Sequence, residues 1–334
     1  MSTDEARQSS SQAGFTLLEM MVALIMFGVM ASIVEHTLGS TQRAERQLSA
    51  VRRVTARCEK IAYEVLDEVN RSRKLFQGDT TGQDYLDALD LSRDPILTNA
   101  RLPLFDEINP MGMDAAGDPR TGNILFFVRE GEAVEAVADA SSGLRRSIDL
   151  HRFVCVYPRE TTRVLVSDSQ MFPARDLVVW RSALYPSHAQ LMAIEDTDER
   201  ASVVRDLVDR YGCDYAWDAN ADVDAAFFEL GSLGGIGASA TTSLVIEEDV
   251  DASDRGRLVY ADVQLARTAP TDFHRRSRFT ADDVSTWVPD GFEVKIVGIS
   301  GARKVWFRVT AESPATRHVV GVLGCEMTAS PRDM

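Results

Sequence analysis

Gly14-Phe15-Thr16-Leu17-Leu18-Glu19 opens the stretch that decides how this chain is built, GFTLLEMMVALIMFGVMASIV over residues 14–34. From Phe15 to Val34 the run carries one charge, Glu19, and no proline. At about 1.5 Å per residue its 20 residues span roughly 30 Å as a helix, the thickness of a bilayer's hydrocarbon core. The preceding MSTDEARQSSSQAG is polar and ends in Gly14. A secretory signal peptide places its small-residue cleavage site after the apolar run. Here the small residue comes before it, so a cut after Gly14 leaves the membrane segment on the mature chain.

Working outward, the whole chain has 334 residues, enough to bury a sizeable core. Its 36 basic and 51 acidic residues give a net charge of −15, which argues against nucleic acid as a partner because phosphate contacts need Lys and Arg. Its four cysteines show no CxxC pair, so neither a disulfide scaffold nor a zinc ribbon is expected.

Glu19 is the odd residue of the span. An ionisable group inside a membrane is costly and by default marks function, with a partner of opposite charge. Cleavage after Gly14 would create one, the new amino group of Phe15, four residues away and on the same helix face. In a bundle of such helices the carboxylate of one subunit can instead meet the amino terminus of its neighbour.

Glycine, phenylalanine, glutamate and an uninterrupted apolar run in this register resemble the class III signal of type IV prepilins and type II secretion pseudopilins. The resemblance implies that a membrane prepilin peptidase cuts between Gly14 and Phe15 and that Phe15 is then N-methylated. It also implies that Glu19 guides packing against other pilin or pseudopilin subunits, delivered through an inner-membrane assembly platform. The chain would cross the bacterial inner membrane once, in contact with lipid, with its C-terminal head in the periplasm. Counting charges alone would orient it the other way. Arg43, Arg46, Arg52, Arg53 and Arg57 follow the span, whereas Arg7 is the single base of a leader that also carries Asp4 and Glu5. The motif overrules that count.

Past the span, Val51, Val54, Cys58, Ile61, Val65 and Val69 recur at steps of three and four, predicting an amphipathic continuation of the helix. The basic residues Arg71, Arg73 and Lys74 followed by Gly78 predict its stop. Strands are predicted near 123–129, 150–157, 163–167, 177–182, 243–247, 258–267, 292–299, 304–310 and 318–323. A helix capped by Thr197 is predicted within 196–211. The acidic stretches 130–139 and 247–254 read as solvated loops. The expected class is α+β, a long N-terminal helix packed on an antiparallel β-sheet head. Its parts are a leader (1–14), a transmembrane and assembly helix (15–36), an amphipathic continuation (37–76) and a globular head (77–334).

Asp218-Ala-Asn220-Ala-Asp222-Val-Asp224, with Glu229 beyond, puts oxygen ligands at EF-hand spacing for Ca²⁺. Val223 stands where that loop needs glycine, so the expectation is a looser calcium loop on the same ligands or a polar surface loop. Cys213 and Cys325 form one candidate disulfide and Cys155 with Cys325 another, a choice the sequence leaves open. Cys58, on the apolar stripe, reads as a core residue. His36, His151, His188, His274 and His318 are scattered without ligand spacing, and Gly234-Gly235-Ile236-Gly237 lacks the pattern of a phosphate loop. With no GxSxG elbow, the head is expected to be no enzyme. The start resembles a J-type minor pseudopilin of type II secretion, while the size of the head fits a PilW-like minor pilin of a type IV pilus. A membrane-anchored periplasmic enzyme or binding protein is the reading from a different class.

Overall fold

A computed structural model describes residues 16–107, 120–167, 170–214, 236–246, 263–266, 277–279, 291–316 and 319–331. Its first element is one unbroken helix of 54 residues, α1 (Leu17–Asn70). Contacts divide the chain into two units, 1–49 and 50–334. In the first, the helix buries nothing: Leu17 is 78% exposed and Phe27 73%. In the second it buries one stripe, Ala50, Val54, Cys58, Ile61, Ala62, Val65, Glu68 and Val69. Each fully buried Val or Ile there contributes roughly 1.5–3 kcal/mol. Val51, predicted to lie on the stripe, is exposed, and Ala50 takes its place.

The helix stops at Asn70, earlier than the basic patch suggested, because the next residues leave it for a sheet. Ser72–Leu75 (β1) pairs antiparallel with β3 (Leu125–Asp139), and the Arg71 carbonyl accepts from the Glu130 N–H at 3.1 Å. Strand pairing outweighs the helix-compatible composition of this segment. A short helix, α2 (Thr80–Asp87), follows, with Asp79 accepting from the Gly82 N–H, and then a two-residue strand, β2 (Phe105–Asp106).

Beyond β3 come β4 (Leu144–Ser167), β5 (Gln170–Ser182), β6 (Tyr185–Pro186), α3 (His188–Met192), α4 (Thr197–Tyr211) and β7 (Ala238–Ser243). The last part of the chain supplies β8 (Gln264–Leu265), β9 (Phe292–Val297), β10 (Lys304–Thr316) and β11 (Val319–Ala329). One sheet has the order β1-β3-β4-β5-β7, with β6 beside β4. The other runs β11-β10-β9-β2, with β8 beside β10, and its β2–β9 pair is parallel.

The strand period of two sorts side chains between two cores. Leu125, Phe127, Val154, Val156, Leu177 and Val179 face the α1 stripe, together with Phe292, Val294, Val305 and Phe307 from the second sheet. Phe126, Val128, Phe153, Cys155, Val178 and Trp180 face the other way, against Phe76, Leu86, Leu89 and Leu102. A third cluster joins Ala136, Ala138, Ile148 and Leu150 to Leu191, Ile194, Val203 and Leu207.

Several boundaries correct the sequence reading. Residues 130–139 are not a solvated loop but part of β3: Ala136 and Ala138 lie buried under α4, and the Val137 N–H donates to Asp206 at 2.9 Å. The two short strands predicted at 150–157 and 163–167 are one, β4, with a shift of register between Glu160 and Val164. Asp196 rather than Thr197 caps α4, accepting from the Asp198 and Glu199 N–H groups, and Gly212 ends it at φ 61°. The strand expected at 243–247 lies earlier, as β7. Leu244, Val245 and Ile246 turn into the core instead, with the N–H groups of Val245 and Ile246 donating to buried Asp176 at 3.0 and 3.2 Å. Within the predicted strand 258–267, β8 occupies 264–265, and residues 258–262 and 267 lie outside the described set, as do 247–254.

Candidate functional site

Described structure begins at Thr16, and the first turn of α1 is closed by two side chains. Thr16 Oγ1 accepts from the Glu19 N–H at 3.3 Å. The Glu19 carboxylate reaches back and accepts from the Thr16 N–H and from its hydroxyl, both at 3.0 Å. This is a capping box, a T-x-x-E arrangement that satisfies the orphan N–H groups of a helix start. It also sets a negative charge at the positive end of the helix dipole. The backbone N–H that Glu19 holds belongs to the residue directly after Phe15. Cleavage after Gly14 would therefore form the new ammonium on the residue next to the one whose N–H this carboxylate holds. Thr16 went unread in the sequence as a partner of Glu19, although its spacing carried the signal.

Behind the box, Leu17, Leu18, Leu24, Ile25, Met26, Phe27 and Met30 are all exposed. The helix is long and apolar enough to cross a membrane. The model of the prokaryotic N-terminal methylation motif matches residues 9–34, the leader's end, Glu19 and the apolar span together. The chain thus carries the prepilin-type methylation motif at its start, which supports a type IV pilin-like protein. No curated protein and no solved structure matches it. The methylation motif implies processing of this pilin-like chain by a prepilin peptidase, anchoring in a membrane through the N-terminal helix, and assembly with other pilins.

Gly14 and Phe15 lie outside the described residues. So do Asp218, Asn220, Asp222, Asp224 and Glu229, the candidate calcium ligands. Among the described residues no group of three or more His, Cys, Asp or Glu side chains is placed to hold a metal ion.

The candidate disulfides are corrected, since all four cysteines are free. Cys213 is buried in the cluster under α4, Cys155 in the one facing α2, and Cys325 packs against the α1 stripe. Cys155, Cys213 and Cys325 thus lie in three separate cores. Cys58 lies on the stripe beside Cys325, and its sulfur accepts from the Ala311 N–H. Burial pushes the Cys58 thiol up to about 12 and the Cys213 thiol up to about 11, so both stay protonated and inert at neutral pH.

Glu68, not singled out in the sequence, is buried on α1 and tied to the sheet. It accepts from Arg129 Nη1 at 2.7 Å and from Arg181 Nε and Nη2 at 3.1 and 2.7 Å. This clamp fixes the last turns of the helix on β3 and β5.

Proposed function

We propose that the chain is a minor pilin-type subunit of a type II secretion pseudopilus, stored in the inner membrane as a prepilin with its head in the periplasm. The observation that carries the proposal is the GFTLLE start in front of a fully exposed apolar helix half. That helix half needs lipid before assembly and neighbouring helices after it. The large head, built on two sheets and three cores, favours the second reading, a minor pilin of a type IV pilus. In either reading the head shapes contacts between subunits and performs no catalysis.

The test has two parts. Deleting the gene should stop secretion of folded exoproteins and leave surface pili intact; loss of pili with secretion unchanged transfers the subunit to the pilus. Glu19→Leu should still be cleaved and inserted, because it removes a charge that is costly inside a membrane. Co-purification with the other pilin-type subunits should fall at least tenfold, since a partner's ammonium is left unpaired in apolar surroundings. A cleaved Glu19→Leu chain that assembles normally would reduce the helix to an anchor and give precedence to a tethered enzyme or binding protein.

A further inference from the structure

At the end of the first sheet's inner face, three neighbouring strands each contribute an arginine. Arg129 on β3 lies opposite Arg152 on β4, and Arg181 on β5 lies opposite Val154, two residues along. Along each strand these positions continue the apolar rows Leu125–Phe127, Val156–Val154 and Leu177–Val179, so all three arginines share the face that carries α1. They stand side by side where the helix ends.

One carboxylate meets them. Glu68 is hydrogen-bonded to Arg129 and Arg181, and Arg181 Nη1 also donates to Thr242 Oγ1 at 3.0 Å. Arg152 is different. Its Nε is shielded from solvent and has no partner, and its side chain makes no hydrogen bond to any described residue. Ser72 lies opposite Arg129 in the β1–β3 register, and its fully buried hydroxyl is also without a partner. Burial and the positive charges of Arg129 and Arg181 push the Arg152 guanidinium below its usual range, with Glu68 the opposing charge among the described residues.

The charge count does not close. Three guanidinium groups face one carboxylate and the negative end of α1, which supplies roughly half a charge. About one and a half positive charges are left over, in a chain whose net charge is −15. Guanidinium forks are donors in a planar array suited to carboxylate and sulfate-type oxygens. We propose that Arg129, Arg152 and Arg181 form an oxyanion site in which Glu68 fills one part and an external carboxylate or small oxyanion, held by Arg152, fills the other. This site is independent of how the N-terminal helix assembles. Its ligand has two sources, an acidic side chain of a neighbouring molecule or a free inorganic anion.

The experiment uses the full chain in detergent, with equilibrium dialysis of labelled sulfate at constant ionic strength. The wild-type chain should bind about one equivalent saturably. Arg152→Gln should weaken binding at least tenfold, whereas Arg145→Gln, an exposed arginine on β4, should bind as the wild type does. Glu68→Gln, which removes the competing carboxylate, should bind several-fold more tightly. Competition by N-acetylglutamate assigns the site to a side-chain carboxylate, and sulfate binding that N-acetylglutamate leaves untouched assigns it to an inorganic oxyanion. If Arg152→Gln does not fold, the wild-type isotherm still decides. Absence of saturable sulfate binding, or equal binding by wild type and a folded Arg152→Gln, overturns the proposal.

Discussion

Glu293 shows what a single buried carboxylate does to this head. It sits on β9, 4% exposed, with Arg308 Nη1 3.9 Å away and the Arg278 N–H donating to it at 3.1 Å. Burial is the larger influence and lifts its pKa to about 7, against an unfolded value near 4.5. The folded chain therefore holds a proton that the unfolded chain releases between those values. Stability from this group is complete below about pH 4.5 and lost as pH rises to about 7, by roughly 3 kcal/mol. Glu293→Gln, which keeps an acceptor for the Arg278 N–H, should flatten that part of the curve and raise the melting midpoint at pH 8. Thermal unfolding of the two chains across pH 4–8 checks it, and parallel curves would contradict it. Residues of this kind were not legible in the sequence, because burial of Glu293 or Glu68 depends on strands far away in the chain. Glu19 was legible because its setting is local: the Gly14-Phe15 start and the apolar run around it lie within one segment.

Elements follow the same division. The long helix, α4 and most strands were readable from period and turn chemistry, since each signal lies inside the segment it describes. The boundaries that moved did so through distant partners: β3 ended the helix at Asn70, α4 converted residues 130–139 from loop to strand, and Asp176 drew residues 244–246 off the strand path. Two glycines at element ends separate local strain from packing. Gly212, the α4 cap at φ 61°, has open space where a Cβ would go, so Gly212→Ala should cost about 1–2 kcal/mol from backbone strain alone. Gly291, at φ 76° before β9, would place a Cβ 2.8 Å from the Thr310 carbonyl oxygen and 2.9 Å from the Ala266 nitrogen. Gly291→Ala should cost at least about 1 kcal/mol more than Gly212→Ala, because overpacking adds to the strain. Melting midpoints of both variants test the order, and equal losses would show that the backbone around Gly291 yields.

The molecule as a whole joins two surfaces with different solvents in one helix. Up to Val34 that helix is apolar and exposed, and from Ala50 onward it buries one stripe in a folded core. A chain organised this way needs its apolar half freed from the polar leader before that half can pack against neighbours. Residues 1–14 should therefore be removed, and Phe15 should begin the mature protein. Intact-mass and N-terminal peptide mass spectrometry on chain extracted from membranes of cells that hold the prepilin peptidase reads this directly. The predicted result is a chain starting at N-methylated Phe15, with processing blocked by Gly14→Leu, a bulky side chain at the scissile bond. A mature protein that still begins at Met1 or Ser2 would contradict it.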